Sequence, residues 1–110
     1  MTDYISVLIT ASKEDEAAVI AKALLGDRLA ACVNIIKGIR SIYRWQGKVE
    51  DDAEVLMIVK TRAELFDSLA EKVKALHSYS VPEIIALPVI RGSADYLNWL
   101  KEETAGGPQP

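Results

Sequence analysis

Between Ala30 and Thr61 the chain reads as two very long β-strands, Ala30–Trp45 and Lys48–Thr61, joined at a tight turn around Gln46-Gly47. At ~3.3 Å per residue the first strand would reach about 50 Å. A compact chain of this length has a radius of gyration of about 13 Å. The strands therefore outrun the body of their own domain, and backbone groups beyond the core must pair with something or face water. The same segment carries Ala31-Cys32-Val33, Ile35-Ile36 and Val55-Leu56-Met57-Ile58-Val59, runs that are apolar on both strand faces. A strand apolar on both faces is buried on both. Length and patterning thus independently predict an oligomer in which each hairpin lies against a neighbour.

The 110 residues are enough for one small domain, expected over 1–105 with a flexible tail at 106–110, and half of them are apolar. Net charge is −3 and no basic cluster stands out, which argues against a nucleic-acid partner. The longest apolar stretches, Val7–Ile9 and Ile84–Ile90, are too short to span a bilayer. Met1–Ile5 has no basic segment followed by an apolar one, so no secretory signal is expected. Cys32 is the single cysteine. No intrachain disulfide can form, and a reducing, cytoplasmic compartment is expected.

Around the long strands, Asp3–Thr10 alternates as a strand, and Ser12 with Asp15 predicts a capped helix carrying Ala17, Ile20, Ala21 and Leu24 on one face. Gly38 marks a bulge or bend in the first long strand. Thr61 and Glu64 form a second capping box before the stripe Leu65, Leu69, Val73 and Leu76. His77–Pro82 reads as a loop, Glu83–Ile90 as an edge strand with Pro88, and Ser93 opens a short last helix. The order β-α-β-β-α-β plus a terminal helix predicts an α+β, ferredoxin-like antiparallel sheet with helices on one face.

The blocks Leu29–Ile35, Ser41–Glu50, Val59–Thr61, Val81–Pro88 and Tyr96–Leu100 closely resemble the CutA divalent-cation-tolerance family, over roughly Ile5 to Leu100. The resemblance implies a ferredoxin-like homotrimer similar in architecture to the PII signalling proteins, a role in tolerance of copper and other divalent cations, and no catalytic reaction. Within the resemblance, the loop usually written His-Pro-Tyr is His77-Ser78-Tyr79 here. Leu76 and Ile9 stand where copper-binding bacterial members have a histidine and a cysteine. No cofactor is required on this reading. Copper or another divalent cation would be bound weakly, through His77 and Cys32.

Each candidate has two readings. His77 is a metal ligand or proton carrier, or a helix-end histidine satisfying the last carbonyls. One histidine and one cysteine per chain cannot fill a tetrahedral site. Cys32 is a soft ligand or a small buried hydrophobe. Glu50, Asp52 and Glu54 share a strand face and form a cation-binding row or a charged guard on an exposed strand. Lys60, following an apolar run, is either structural glue or an anion contact in a pocket between subunits, with Tyr79 and Glu83. Tyr43, Trp45 and Met57 are expected at the trimer interface. An enzyme is not expected: the sequence has no P-loop, nucleophile elbow or H-E-x-x-H motif. The functional classes left are a divalent-cation-tolerance trimer, a PII-like regulator binding a small anion, and an inert trimeric scaffold on which protein partners dock.

Overall fold

In the computed structural model, which describes residues 3–106, the first alternating segment is β1 (Tyr4–Ala11), followed by α1 (Glu14–Gly26). The two long strands are β2 (Cys32–Trp45) and β3 (Lys48–Arg62). A single 3₁₀ turn leads into α2 (Phe66–Leu76), and β4 (Ile84–Pro88) and α3 (Ala94–Glu103) complete the chain. The strands form one antiparallel sheet in the order β2-β3-β1-β4. This is the ferredoxin-like α+β topology that the element order predicts. The flexible tail expected at 106–110 lies, apart from Gly106, outside the described residues.

β2 and β3 turn at Gln46 and Gly47, both with positive φ (50° and 81°), the signature of a two-residue type I′ hairpin whose twist suits the flanking strands. β1 pairs with β3 only from Val55 to Arg62. The seven pairs from Ile39↔Glu54 to Trp45↔Lys48 have no third strand beside them. They form a bare two-stranded ribbon, and the molecule is 43 Å long but only 23 Å thick. Lys37 and Gly38 together stand opposite Val55, with Gly38 at φ 78°. This is the expected bulge. It switches parity along β2: Cys32, Asn34 and Ile36 share a face with Ile39, Ser41, Tyr43 and Trp45.

One face of the sheet carries Ile5, Val7 and Ile9 of β1 with Val55, Met57 and Val59 of β3, packed under Ile20 and Leu24 of α1 and Leu69 and Val73 of α2. Met57, expected between chains, is fully buried in this internal core. Odd positions of β3 face the helices, and the residues that face the other way are Leu56 and Ile58. That second face has no layer over most of its area. Ile36, Ile85 and Leu87 project from it about half exposed. α3 covers only one end, where Arg62 donates to the Thr104 hydroxyl (2.8 Å) and carbonyl (2.9 Å).

Neither expected capping box forms as drawn. Ser12 pairs with Glu16, its hydroxyl donating to Oε1 at 3.0 Å, and Asp15 takes no part. Thr61 turns inward and donates to the Leu29 carbonyl at 2.6 Å, while Glu64 pairs with Arg62. α1 closes with Arg28 in the left-handed region (φ 56°), and the N–H groups of Arg28 and Leu29 bond back to Leu25 and Leu24. This is the Schellman pattern without its usual glycine.

The bulge gives a test. A Cβ at Gly38 would meet no atom within 4 Å. Gly38→Ala therefore introduces backbone strain alone, and chemical denaturation should show a loss of about 1–2 kcal/mol. An unchanged midpoint would mean that the left-handed bulge is not held.

Candidate functional site

α2 is eleven residues long, and at ~1.5 Å per residue it carries the chain back about 16 Å along the sheet. The loop after it therefore lands beside the root of the ribbon. His77, in extended conformation (φ −79°, ψ 142°), ends the helix. Its side chain is completely buried. Nε2 donates to the Thr10 carbonyl at 2.7 Å, and Nδ1 accepts the Tyr79 N–H at 3.0 Å. Both ring nitrogens are therefore spent, in the tautomer with its proton on Nε2.

Glu16 of α1 locks the same loop. Its Oε2 accepts the Ser78 N–H at 2.6 Å, and Oε1 accepts the Ser12 hydroxyl. Burial pushes this carboxyl up, but the hydrogen bonds from Ser78 and Ser12 and the nearby His77 outweigh that and hold it below its ordinary range. Tyr79 then reaches the sheet: its hydroxyl donates to Glu54 Oε2 at 2.6 Å. Burial, together with Glu54, pushes the Tyr79 phenol far above its usual range. Glu54 is only 7% exposed. On the ribbon, the Tyr43 hydroxyl donates to Asp52 Oδ2 at 2.6 Å. That bond, partial desolvation and the charges of Asp52, Glu54 and Glu50 push Tyr43 up to about 12.

These elements enclose a cavity of about 690 Å³ between the ribbon root and the loop, lined among others by Thr10, Tyr43, Trp45, Glu54, Tyr79 and Glu83. Tyr79 and Glu83 both line this cavity within one chain. Lys60 does not join them. It lies six residues along β3 from Glu54, roughly 20 Å away, opposite Cys32 and bonded to the Asn34 side chain. The expected pocket lies between subunits; within one chain α2 carries the loop to the middle of β3, away from Lys60. Cys32 is half-buried at that same far end, its thiol 3.9 Å from Asn34 Oδ1.

His77 and Cys32 therefore sit in different parts of the chain, and His77 has no lone pair to spare. Among the described residues no group of three or more His, Cys, Asp or Glu side chains could hold a metal ion. Glu16, Ser78 and the burial of Glu54 were not singled out from sequence. The one available signal was the position of Glu54 directly before the apolar run Val55–Val59.

The antiparallel sheet, long ribbon and locked α2–β4 loop define a ferredoxin-like α+β protein. A family model described as CutA1 divalent ion tolerance protein matches residues 5–103. The divalent-cation tolerance protein CutA of Thermus thermophilus is 58% identical over 98 residues, covering 89% of this chain and 95% of that protein. The human protein CutA is 46% identical over 90% of this chain, which spans 55% of the human sequence. Among solved structures, the Thermus thermophilus Cut A1 protein superposes with a TM-score of 0.90 at 56% identity, covering 93% of this chain and 99% of that one. The Archaeoglobus fulgidus CutA, described as periplasmic, gives 0.89 at 46%, covering 92% and 98%. The chain belongs to the CutA1 divalent ion tolerance family.

His77→Ala would orphan the Thr10 carbonyl and the Tyr79 N–H, each at a cost of about 1–3 kcal/mol. Denaturation should show a loss of roughly 2–6 kcal/mol. Two pH effects follow from linkage. Glu16 has a folded pKa below its unfolded value of 4.5, so its contribution is present above pH 4.5 and lost as pH falls through the folded pKa. Tyr43 is raised from 10.0 to about 12, so its contribution is full below pH 10 and lost between there and pH 12. Stability measured across pH should fall on both flanks. Glu16→Gln should flatten the acid flank and Tyr43→Phe the alkaline one, and a variant with an unchanged flank would reject that assignment.

Proposed function

We propose that this chain works as a cytoplasmic homotrimer in tolerance or homeostasis of divalent metal ions, binding copper or another divalent cation weakly and catalysing no reaction. The observation that carries the trimer is the bare ribbon beside an open apolar sheet face. An isolated two-stranded hairpin is marginal in water. Ile36, Ile85, Leu87, Tyr43 and Trp45 all project from the uncovered face, and large aromatics at such a position are interface anchors. A closed ring of chains removes the exposed edges of the sheet. Family membership supports the divalent-ion role. The absence of a preformed ligand set among the described residues favours weak binding, with ligands drawn from more than one chain.

The cavity favours a second reading, a PII-like regulator with a small-molecule site. Within one chain Lys60 lies at the far end of β3, so the counter-charge for a small anion there would come from a neighbouring subunit.

Light scattering at micromolar concentration should give about three chain masses. Leu87→Lys, which places a charge on the open face, should shift the mass toward one chain, and a trimer unaffected by it would sink the proposed interface. Calorimetry with copper(II) chloride should show dissociation constants weaker than about 1 μM. His77→Ala should lower stability while leaving that affinity unchanged. A tight site that disappears with His77 would contradict the reading.

A further inference from the structure

The bonds of His77 are made for a neutral ring. Its side chain is completely buried. Nε2–H donates to the Thr10 carbonyl at 2.7 Å, and Nδ1 accepts the Tyr79 N–H at 3.0 Å. The second bond exists only while Nδ1 carries no proton. An imidazolium has two donors, so a proton added at Nδ1 would face the Tyr79 N–H, donor against donor.

The groups around the ring decide where such a proton points. α1 contributes Glu16, whose Oε2 lies 3.7 Å from Nδ1. The loop contributes Tyr79, its ring centroid 4.7 Å from the imidazole, and β3 contributes Glu54 behind the Tyr79 hydroxyl. β1 meets the ring with the Thr10 carbonyl, and Lys74, one turn back on α2, is exposed. Glu16 is therefore the near acceptor. Despite its burial, the bonds from Ser78 and Ser12 keep it below its ordinary range, so it is ionised across the roughly pH 5–8 interval in which imidazoles titrate. These contacts are all made within one chain, and a covering neighbour would only deepen their burial.

We propose that His77 is an acid-released latch on the α2–β4 loop: neutral, its Nδ1 holds the Tyr79 N–H; protonated, its Nδ1–H turns to Glu16 and frees Tyr79 from both His77 and Glu54. The step places one solvent proton on Nδ1 and exchanges one hydrogen bond for another. Its consequence falls on the ribbon root, because Glu54 is only 7% exposed and the Tyr79 hydroxyl is the donor to its Oε2. A carboxylate so buried and stripped of its donor draws in water. Acid thus loosens the junction of loop and ribbon while the core beneath the helices stays folded. The latch goes beyond the trimer and metal reading and does not depend on metal binding.

The test uses the full chain, labelled for NMR. His77 is the single histidine, so its Cε1–H shift reports the ring's proton without ambiguity. Amide exchange, corrected for its intrinsic pH dependence, reports the loop from about pH 8 to about pH 5. The expected result is that protection of the Tyr79 amide falls at least about tenfold on acidification, with the midpoint of the His77 shift. The amides of the buried Val7 and Val59 should keep theirs. His77→Gln retains a donor for Thr10 and has no titrating group, and its Tyr79 amide should not respond to pH. Where that variant does not fold, Glu16→Gln carries the test. It keeps an acceptor for Ser78 but offers the ring no charge, and the acid loss of Tyr79 protection should shrink at least about threefold. A ring that stays neutral to the end of the titration overturns the latch, as does one that titrates with Tyr79 protection unchanged. A loss shared equally by Val7 and Val59 overturns it too. So does an undiminished acid response in His77→Gln or, where that variant does not fold, in Glu16→Gln.

Discussion

The β2–β3 pairing is the constraint on which the rest of the structure depends. It runs the length of the molecule, while β1 supports only its inner half. The inner half is ordinary: alternate residues of β3 bury Val55, Met57 and Val59 beneath two helices. The outer half has backbone pairing but no core of its own. The bulge at Lys37-Gly38 sits at the junction. It keeps Ile39, Tyr43 and Trp45 on the same face as Ile36, beside the charged Glu50, Asp52 and Glu54 of β3. A face of that kind is completed by another chain or left to aggregate.

The loop after α2 is fixed by a different logic. His77, Glu16 and Ser78 are all engaged with backbone or with each other. Their bonds fasten the loop to β1 and α1 and present Tyr79 to Glu54. His77 is thus a positioning residue for the cavity. Its burial and two bonds leave it poorly suited to bind an ion.

Much of this was legible in the sequence because it follows from period and punctuation. Gln46-Gly47 between two long β-prone runs announces a hairpin, and Gly38 within one of them announces a bulge. The face of Met57 was obscured because a run apolar on both sides has no visible parity. The even-numbered Glu50, Asp52, Glu54 and Lys60 held the answer, since charges mark the uncovered face and place Met57 under the helices. Within one chain Lys60 lies apart from Tyr79 and Glu83, because α2 carries the loop back along the sheet. The capping residues differ from the expected boxes for a reason that sequence spacing does not contain: Thr61 is taken by the Leu29 carbonyl, a partner brought by tertiary packing. The same holds for His77, whose Nε2 partner lies 67 residues away.

The central claim is that the ribbon from Ile39 to Glu54 is held by a neighbouring chain. Amide hydrogen exchange tests it most directly, residue by residue, on the native protein. If a neighbour covers the ribbon, the amides of Ile39–Trp45 and Lys48–Glu54 that bond across the ladder will be protected to a degree comparable with those of Val55–Val59. Exchange there at rates typical of a frayed hairpin, with the β1–β3 ladder still protected, would show that the ribbon stands alone in water and would contradict the account.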